Sequence, residues 1–110
     1  MTRLELHETL VSILGSRNVY FQPPESVKIE YPCIIYRFVD PKVVPANNGL
    51  YMRHDGYTIM LVDEDPESII FDKILALPYV RFETTYTRDN LNHWNFMLYT
   101  NHKEESNNGR

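Results

Sequence analysis

The sequence predicts an α+β domain. Two helices pack on a mostly antiparallel sheet of four to five strands, with room for one parallel pair, and a hairpin arm projects from it. Three observations lead there. A capped segment with helical apolar spacing opens the chain, four stretches rich in β-branched and aromatic residues follow, and a second helical pattern separates the last two of these from the rest.

Thr2 and Glu5 have the T-x-x-E spacing of a capping box, so a helix begins at Arg3. Leu6, Leu10, Ile13 and Leu14 share one face of it, flanked by Leu4 and Val11, while Glu5, Glu8 and Ser12 lie outside. Gly15 suits its C-terminal cap, because a residue without Cβ takes the left-handed conformation at no steric cost. Val19 to Phe21 reads as a short extended piece. Pro23-Pro24 cannot donate to a ladder and takes the chain out of the sheet. Val27 to Tyr31 has the composition of a strand edge, and Pro32 biases Tyr31 toward extended geometry. Cys33 to Val39 ("CIIYRFV") has the composition of a central strand.

Asp40 to Gly56 ("DPKVVPANNGLYMRHDG") is the most irregular region, with two prolines and two glycines, and Asn48-Gly49 is a strong hairpin-turn signal. The segment reads as a projecting arm. It carries Val43, Val44, Leu50, Tyr51 and Met52, more apolar surface than a solvated loop needs, and these five are the candidate partner-contact residues. Tyr57 to Val62 is the next strand. In "DEDPES", Asp65 suits a helix cap, Pro66 the first helical position, and Glu67 the positive end of the helix dipole. Ile70, Phe71, Ile74 and Leu75 then mark a second amphipathic helix that ends before Pro78. Val80 to Thr87 and His93 to Thr100 alternate and form a closing antiparallel pair around "RDNLN". Residues 1–100 make one domain with the arm at 40–56, and the polar tail 101–110 is expected to be disordered.

Composition limits the function classes. A net charge of −4 with scattered Lys and Arg offers no basic patch that would release counterions from phosphates. The single cysteine, Cys33, excludes an intrachain disulfide and a multi-cysteine zinc site, and its apolar run predicts a buried, inert thiol. The N-terminus resembles neither a secretory signal nor a membrane span.

Motifs for chemistry are weak. Asp63, Glu64, Asp65 and Glu67 could form a divalent-cation site only if their oxygens converged, and their spacing equally describes a strand end running into a helix N-terminus. His7, His54, His93 and His102 include no H-x-x-x-H pair. No nucleophile elbow, phosphate-cradling loop or dinucleotide fingerprint occurs. No catalytic, cofactor-binding or metal-binding residue is therefore assigned, and no cofactor is expected. What remains is aromatic surface: Tyr20, Tyr31, Tyr51, Tyr57, Tyr79, Tyr86 and Tyr99 exceed what a core of this size can enclose, which points to contact with other protein chains.

Three stretches carry a resemblance: "LHETLVSILGSRNVYFQPPESVKIEYPCIIY", "YTIMLVDEDPES" and "KILALPYVRFETTYTRDNLNHWNFMLY", together covering most of residues 4 to 99. With Y-F-Q-P-P, Y-P-C-I-I-Y and D-N-L-N-H in this order, the chain resembles the tail-terminator or tail-completion proteins of tailed bacteriophages. The resemblance implies a small α+β structural protein of the virion neck, forming a homo-oligomeric, hexameric ring. Such a ring caps the tail tube, stops its polymerisation and docks to the head-completion or connector protein, with DNA only passing through its lumen. Another neck component, such as a head-completion or head–tail joining protein, fits the same resemblance. A small phage protein inhibiting a host enzyme through the arm, and a metal-dependent enzyme using the acidic stretch, are the competing readings.

Overall fold

The computed structural model describes residues 1–45 and 51–104, with side chains described outside 40–54 and 101–104. Two helices and five strands follow one another as α1 (Arg3–Leu14), β1 (Val19–Phe21), β2 (Cys33–Pro45), β3 (Tyr51–Asp63), α2 (Ile69–Leu75), β4 (Val80–Arg88) and β5 (Leu91–Glu104). The strands form one mixed, mostly antiparallel sheet in the order β1-β2-β3-β5-β4. This is the α+β class that the sequence predicts.

The opening helix forms as its local chemistry dictates. The Thr2 hydroxyl accepts the Glu5 N–H while the Glu5 carboxylate accepts the Thr2 N–H, and Gly15 closes the helix at φ 84°. Gly15 also donates its N–H to the Val11 carbonyl at 2.8 Å, so one terminal carbonyl finds its partner.

The parallel pair is β1 with β2, through Val19↔Ile34 to Phe21↔Tyr36. The chain between them, 22–32, forms no strand, so the edge expected at Val27 to Tyr31 does not exist. Its donors are used locally: the Val27 N–H goes to the Pro24 carbonyl in a turn, and the Glu30 N–H to the Tyr20 hydroxyl. Where β1 ends, the Gln22 side chain takes over: its Oε1 accepts the Phe38 N–H at 3.0 Å. β5 lies between β3 and β4, which makes those two strands parallel to each other without pairing; α2 bridges them. β4 and β5 are joined by Asp89 and Asn90, both left-handed (φ 53° and 63°), the conformation of a tight two-residue hairpin turn.

The second helix departs from expectation at its start. Ser68, not Asp65, is the N-cap, its hydroxyl accepting the Ile70 N–H, and Pro66 precedes the helix. Asp63 and Asp65 instead accept the N–H groups of Asp65 and Glu67, two successive turns stabilised by short acidic side chains.

Both helices cover one face of the sheet. Leu6 and Leu10 from α1, Ile74 from α2, and Val19, Ile34, Tyr36, Tyr57, Ile59, Leu61, Phe96 and Leu98 from the strands make the core. The strand members alternate, as a one-sided sheet requires. Phe71 anchors α2, meeting Phe82 edge-on at 5.4 Å and Phe96 at 5.5 Å.

Strand length exceeds helix length. Thirteen residues of β2 or β3 span roughly 43 Å, whereas the twelve residues of α1 rise about 18 Å. The helix layer therefore cannot cover the whole sheet. Beyond the core, β2, β3 and β5 continue together as a three-stranded extension in which Asp40–Pro45, Tyr51–Gly56 and Tyr99–Glu104 stay paired. The molecule measures 52 × 26 × 21 Å.

Candidate assembly surface

The extension is built from the residues the sequence marks as an arm. Val43 pairs with Arg53, Val44 with Met52, and Pro45 with Tyr51, so four of the five candidate contact residues occupy ladder positions. Leu50 and the Asn48-Gly49 turn lie outside the described residues. The region is more than a hairpin, because β5 flanks it: Tyr51 faces Glu104, Met52 faces Lys103 and Arg53 faces His102. The tail expected to be disordered from Asn101 thus remains strand through Glu104; 105–110 lie outside the described residues. Backbone pairing with β3 supplies what the polar composition of "NHKE" lacks.

A β-bulge marks the base of the extension. The β2 register shifts between Phe38 and Asp40, leaving Val39 without an opposite residue and half exposed. Bulges bend a strand and raise its twist, which re-aims the segment beyond.

Among the described residues the sheet has two open edges. β1 covers β2 only from Ile34 to Tyr36, and beyond the Gln22–Phe38 contact no described strand pairs with the β2 edge, which carries Pro41 and Pro45. On the far side β4 is an edge along its whole length. Its register shifts between Phe82 and Thr84, and the Arg81 guanidinium pairs with the extra residue, Glu83, at 2.8 Å. Prolines, a bulge and charges are devices that discourage indiscriminate strand addition.

Among the described residues no helix covers the face of the sheet opposite α1 and α2. Ile35, Met60, Asn95 and Met97 are half-buried across its centre. His93 and Tyr86 stack there, and the Tyr86 hydroxyl donates to the Met60 sulfur at 3.8 Å. Nδ1 of His93 is buried with no hydrogen-bond partner among the described residues. Cys33 and Val62 sit opposite each other at one end of this face, fully buried yet apart from the main core. Burial pushes the Cys33 thiol up to about 12, which keeps it protonated and unreactive, as its apolar context predicts.

On the helix side, an apolar cleft of about 190 Å³ opens where the extension leaves the helix layer, lined by Met1, Leu6, Leu77, Pro78, Tyr79, Leu98, Tyr99 and Thr100. Tyr79 stands at this cleft in a left-handed conformation (φ 62°), largely exposed, and its carbonyl accepts the Tyr99 N–H. A left-handed aromatic residue is uncommon and costs backbone energy, so the local structure holds it there. Of the tyrosines that sequence analysis singles out, Tyr31, Tyr79 and Tyr86 are exposed and Tyr57 is interior.

The acidic stretch does not converge. Besides the two turn contacts above, the Asp63 and Glu64 carbonyls accept the Asn92 amide, which ties the segment to β5. Among the described residues no three His, Cys, Asp or Glu side chains are grouped as metal ligands. No helix among the described residues is long and apolar enough to cross a membrane.

One polar cluster escapes sequence reasoning. The Tyr36 hydroxyl, in a side chain with no exposed surface, lies 2.7 Å from Nδ1 of His7 and accepts from Nη1 of Arg3 at 3.3 Å. Arg3 also rests over the Phe21 ring, 4.6 Å from its centroid. The i, i+4 spacing of Arg3 and His7 places both on one side of α1, but nothing local indicates the tyrosine 29 residues away.

No protein-family model matches this chain, and no curated protein matches it.

Proposed function

We propose that this chain is a structural neck protein of a tailed bacteriophage, a tail terminator that forms a ring on the tail tube, ends its polymerisation and presents a docking surface to the head-completion or connector protein. The resemblance carried by Y-F-Q-P-P, Y-P-C-I-I-Y and D-N-L-N-H motivates the reading. The observation that supports it best is the sheet that outruns its helices, leaving a paired extension and two unlike edges at opposite sides of the sheet.

A ring needs a heterologous contact, in which one surface of a subunit meets a different surface of the next. The β2 side, with its prolines and extension, and the β4 side, with its bulge and ion pair, are two such unlike surfaces. Extended segments joining sheet edges provide affinity through backbone hydrogen bonds and selectivity through side chains. Capping is then geometric: one face of the ring complements the last tube ring, and the opposite face offers no site for the next. The reading assigns no catalysis and no cofactor. Its partners are further copies of the chain in a ring of six, the tube protein and the connector-side protein, and its location is the virion neck after assembly in the bacterial cytoplasm.

The test is microscopy of purified protein and of a lysate lacking the gene. Rings, with overlong tails or unjoined heads and tails in the lysate, are the expected outcome. Unjoined heads and tails of normal length would move the assignment to a head-completion role, and a persistent monomer with normal virions would overturn it. Removing Lys42 to Arg53 should leave the core folded and abolish capping; tails of normal length from that variant would exclude the extension from the interface.

A further inference from the structure

We propose that Arg3, His7 and Tyr36 form an acid-released clamp: proton uptake by His7 frees the first turns of α1 from the sheet and opens the apolar cleft lined by Met1 and Leu6. The inference does not depend on the assembly role.

The geometry sets the hydrogen-bond order. Arg3 can only donate, and it occupies one lone pair of the Tyr36 oxygen. The phenolic O–H is left to donate to Nδ1 of His7, which places the imidazole proton on Nε2. The Tyr36 hydroxyl and Nδ1 of His7 are then both satisfied. When Nδ1 takes up a proton it becomes a donor, and the Tyr36 O–H loses its acceptor inside a fully buried side chain. Two cations, His7 and Arg3, then stand one helical turn apart around a single oxygen.

The surroundings do little to offset this. Desolvation lowers the His7 pKa most, Glu8 opposes that, and Arg3 and Arg17 add to it. Glu8 is itself engaged by Arg17 at 3.1 Å. β2 contributes Tyr36, whose own ionisation burial pushes up, and β1 contributes only the uncharged Phe21 ring beside Arg3. On α2, Lys73 lies along the groove beside Glu8, Thr9 and Ser12. A depressed pKa means that the folded state binds fewer protons than the unfolded one. The docking energy is therefore complete above about pH 6.5 and lost as pH falls below it. The turns released carry Met1 and Leu6, two walls of the cleft, so release of the helix and opening of the cleft are one event.

Amide hydrogen exchange on the whole chain at pH 7.5 and 5.5, with each rate corrected for its intrinsic pH dependence, tests this. Protection in α1 should fall severalfold relative to β5 in the wild type, up to the roughly tenfold ceiling that one histidine with an unfolded pKa near 6.5 allows over this interval. His7→Asn retains an acceptor where Nδ1 stands and cannot be protonated, so it should keep the α1-to-β5 ratio constant. Equal changes in α1 and β5 of the wild type, or an α1-selective loss in His7→Asn as large as the wild type's, would overturn the proposal. Should His7→Asn fail to fold, a nitrogen NMR titration of wild-type His7 decides. A midpoint below 6.5 that coincides with α1 loosening supports the clamp, and a midpoint at or above 6.5 refutes it.

Discussion

Tyr86 and His93 lie flat against each other, ring centroids 4.5 Å apart and planes within 8° of parallel, on the sheet face that no helix covers. They are directly opposite in the β4–β5 ladder, and the contact follows from that register. Tyr86→Ala should cost about 0.5–1.5 kcal/mol, the usual value of an aromatic pair. Tyr86→Phe keeps the stack and loses only the weak O–H to sulfur contact, so its cost should stay within about 0.5 kcal/mol. Urea midpoints at unchanged slope measure both. A Phe variant as damaged as the Ala variant would show that the Met60 contact, and not the stack, holds β4.

Leu4 and Leu6 are two residues apart on α1 and experience opposite environments, 66% and 0% exposed. Leu6→Ala removes a side chain from the core beneath the helix and should destabilise by about 2–5 kcal/mol. Leu4→Ala should change stability by no more than about 0.5 kcal/mol. Comparable losses in thermal unfolding would mean that α1 docks on a different face.

Cys33 should resist a thiol reagent at pH 8 in the native state and react at once in denaturant, since it is fully buried and its pKa is pushed up to about 12. The folded state holds the proton that the unfolded state releases nearer 9. Stability should therefore fall as pH rises from about 9 toward 12, and Cys33→Ala should lack that component of the decline. Rapid labelling of the native protein would contradict the burial.

Local chemistry made much of this fold legible. The Thr2–Glu5 box and Gly15 bound α1 because capping is settled within a few residues. The centres of β2 and β3 are readable from their β-branched and aromatic content, and those of β4 and β5 from alternation. The strand ends are not readable. Asp40 to Pro45 and Asn101 to Glu104 lack strand composition, and they are strands because β3 lies between them and binds both. The start of α2 is not readable either, because Asp65 and Ser68 are both competent caps and only the structure shows Asp65 taken up by its own turn. The candidate contact residues were legible as an apolar excess, but their place in a three-stranded ladder was not.

By itself the sequence determined the α+β class, the caps of α1, the inert cysteine and the strand centres, because each depends on neighbours within about one turn or one pleat. The tertiary structure alone decided the pairing of β1 with β2, the insertion of β5 between β3 and β4, the extension beyond the helix layer and the His7–Tyr36 contact. These join residues many positions apart, and their stabilisation arises only once a register closes the long loops between them. Local propensity contains no record of that closure.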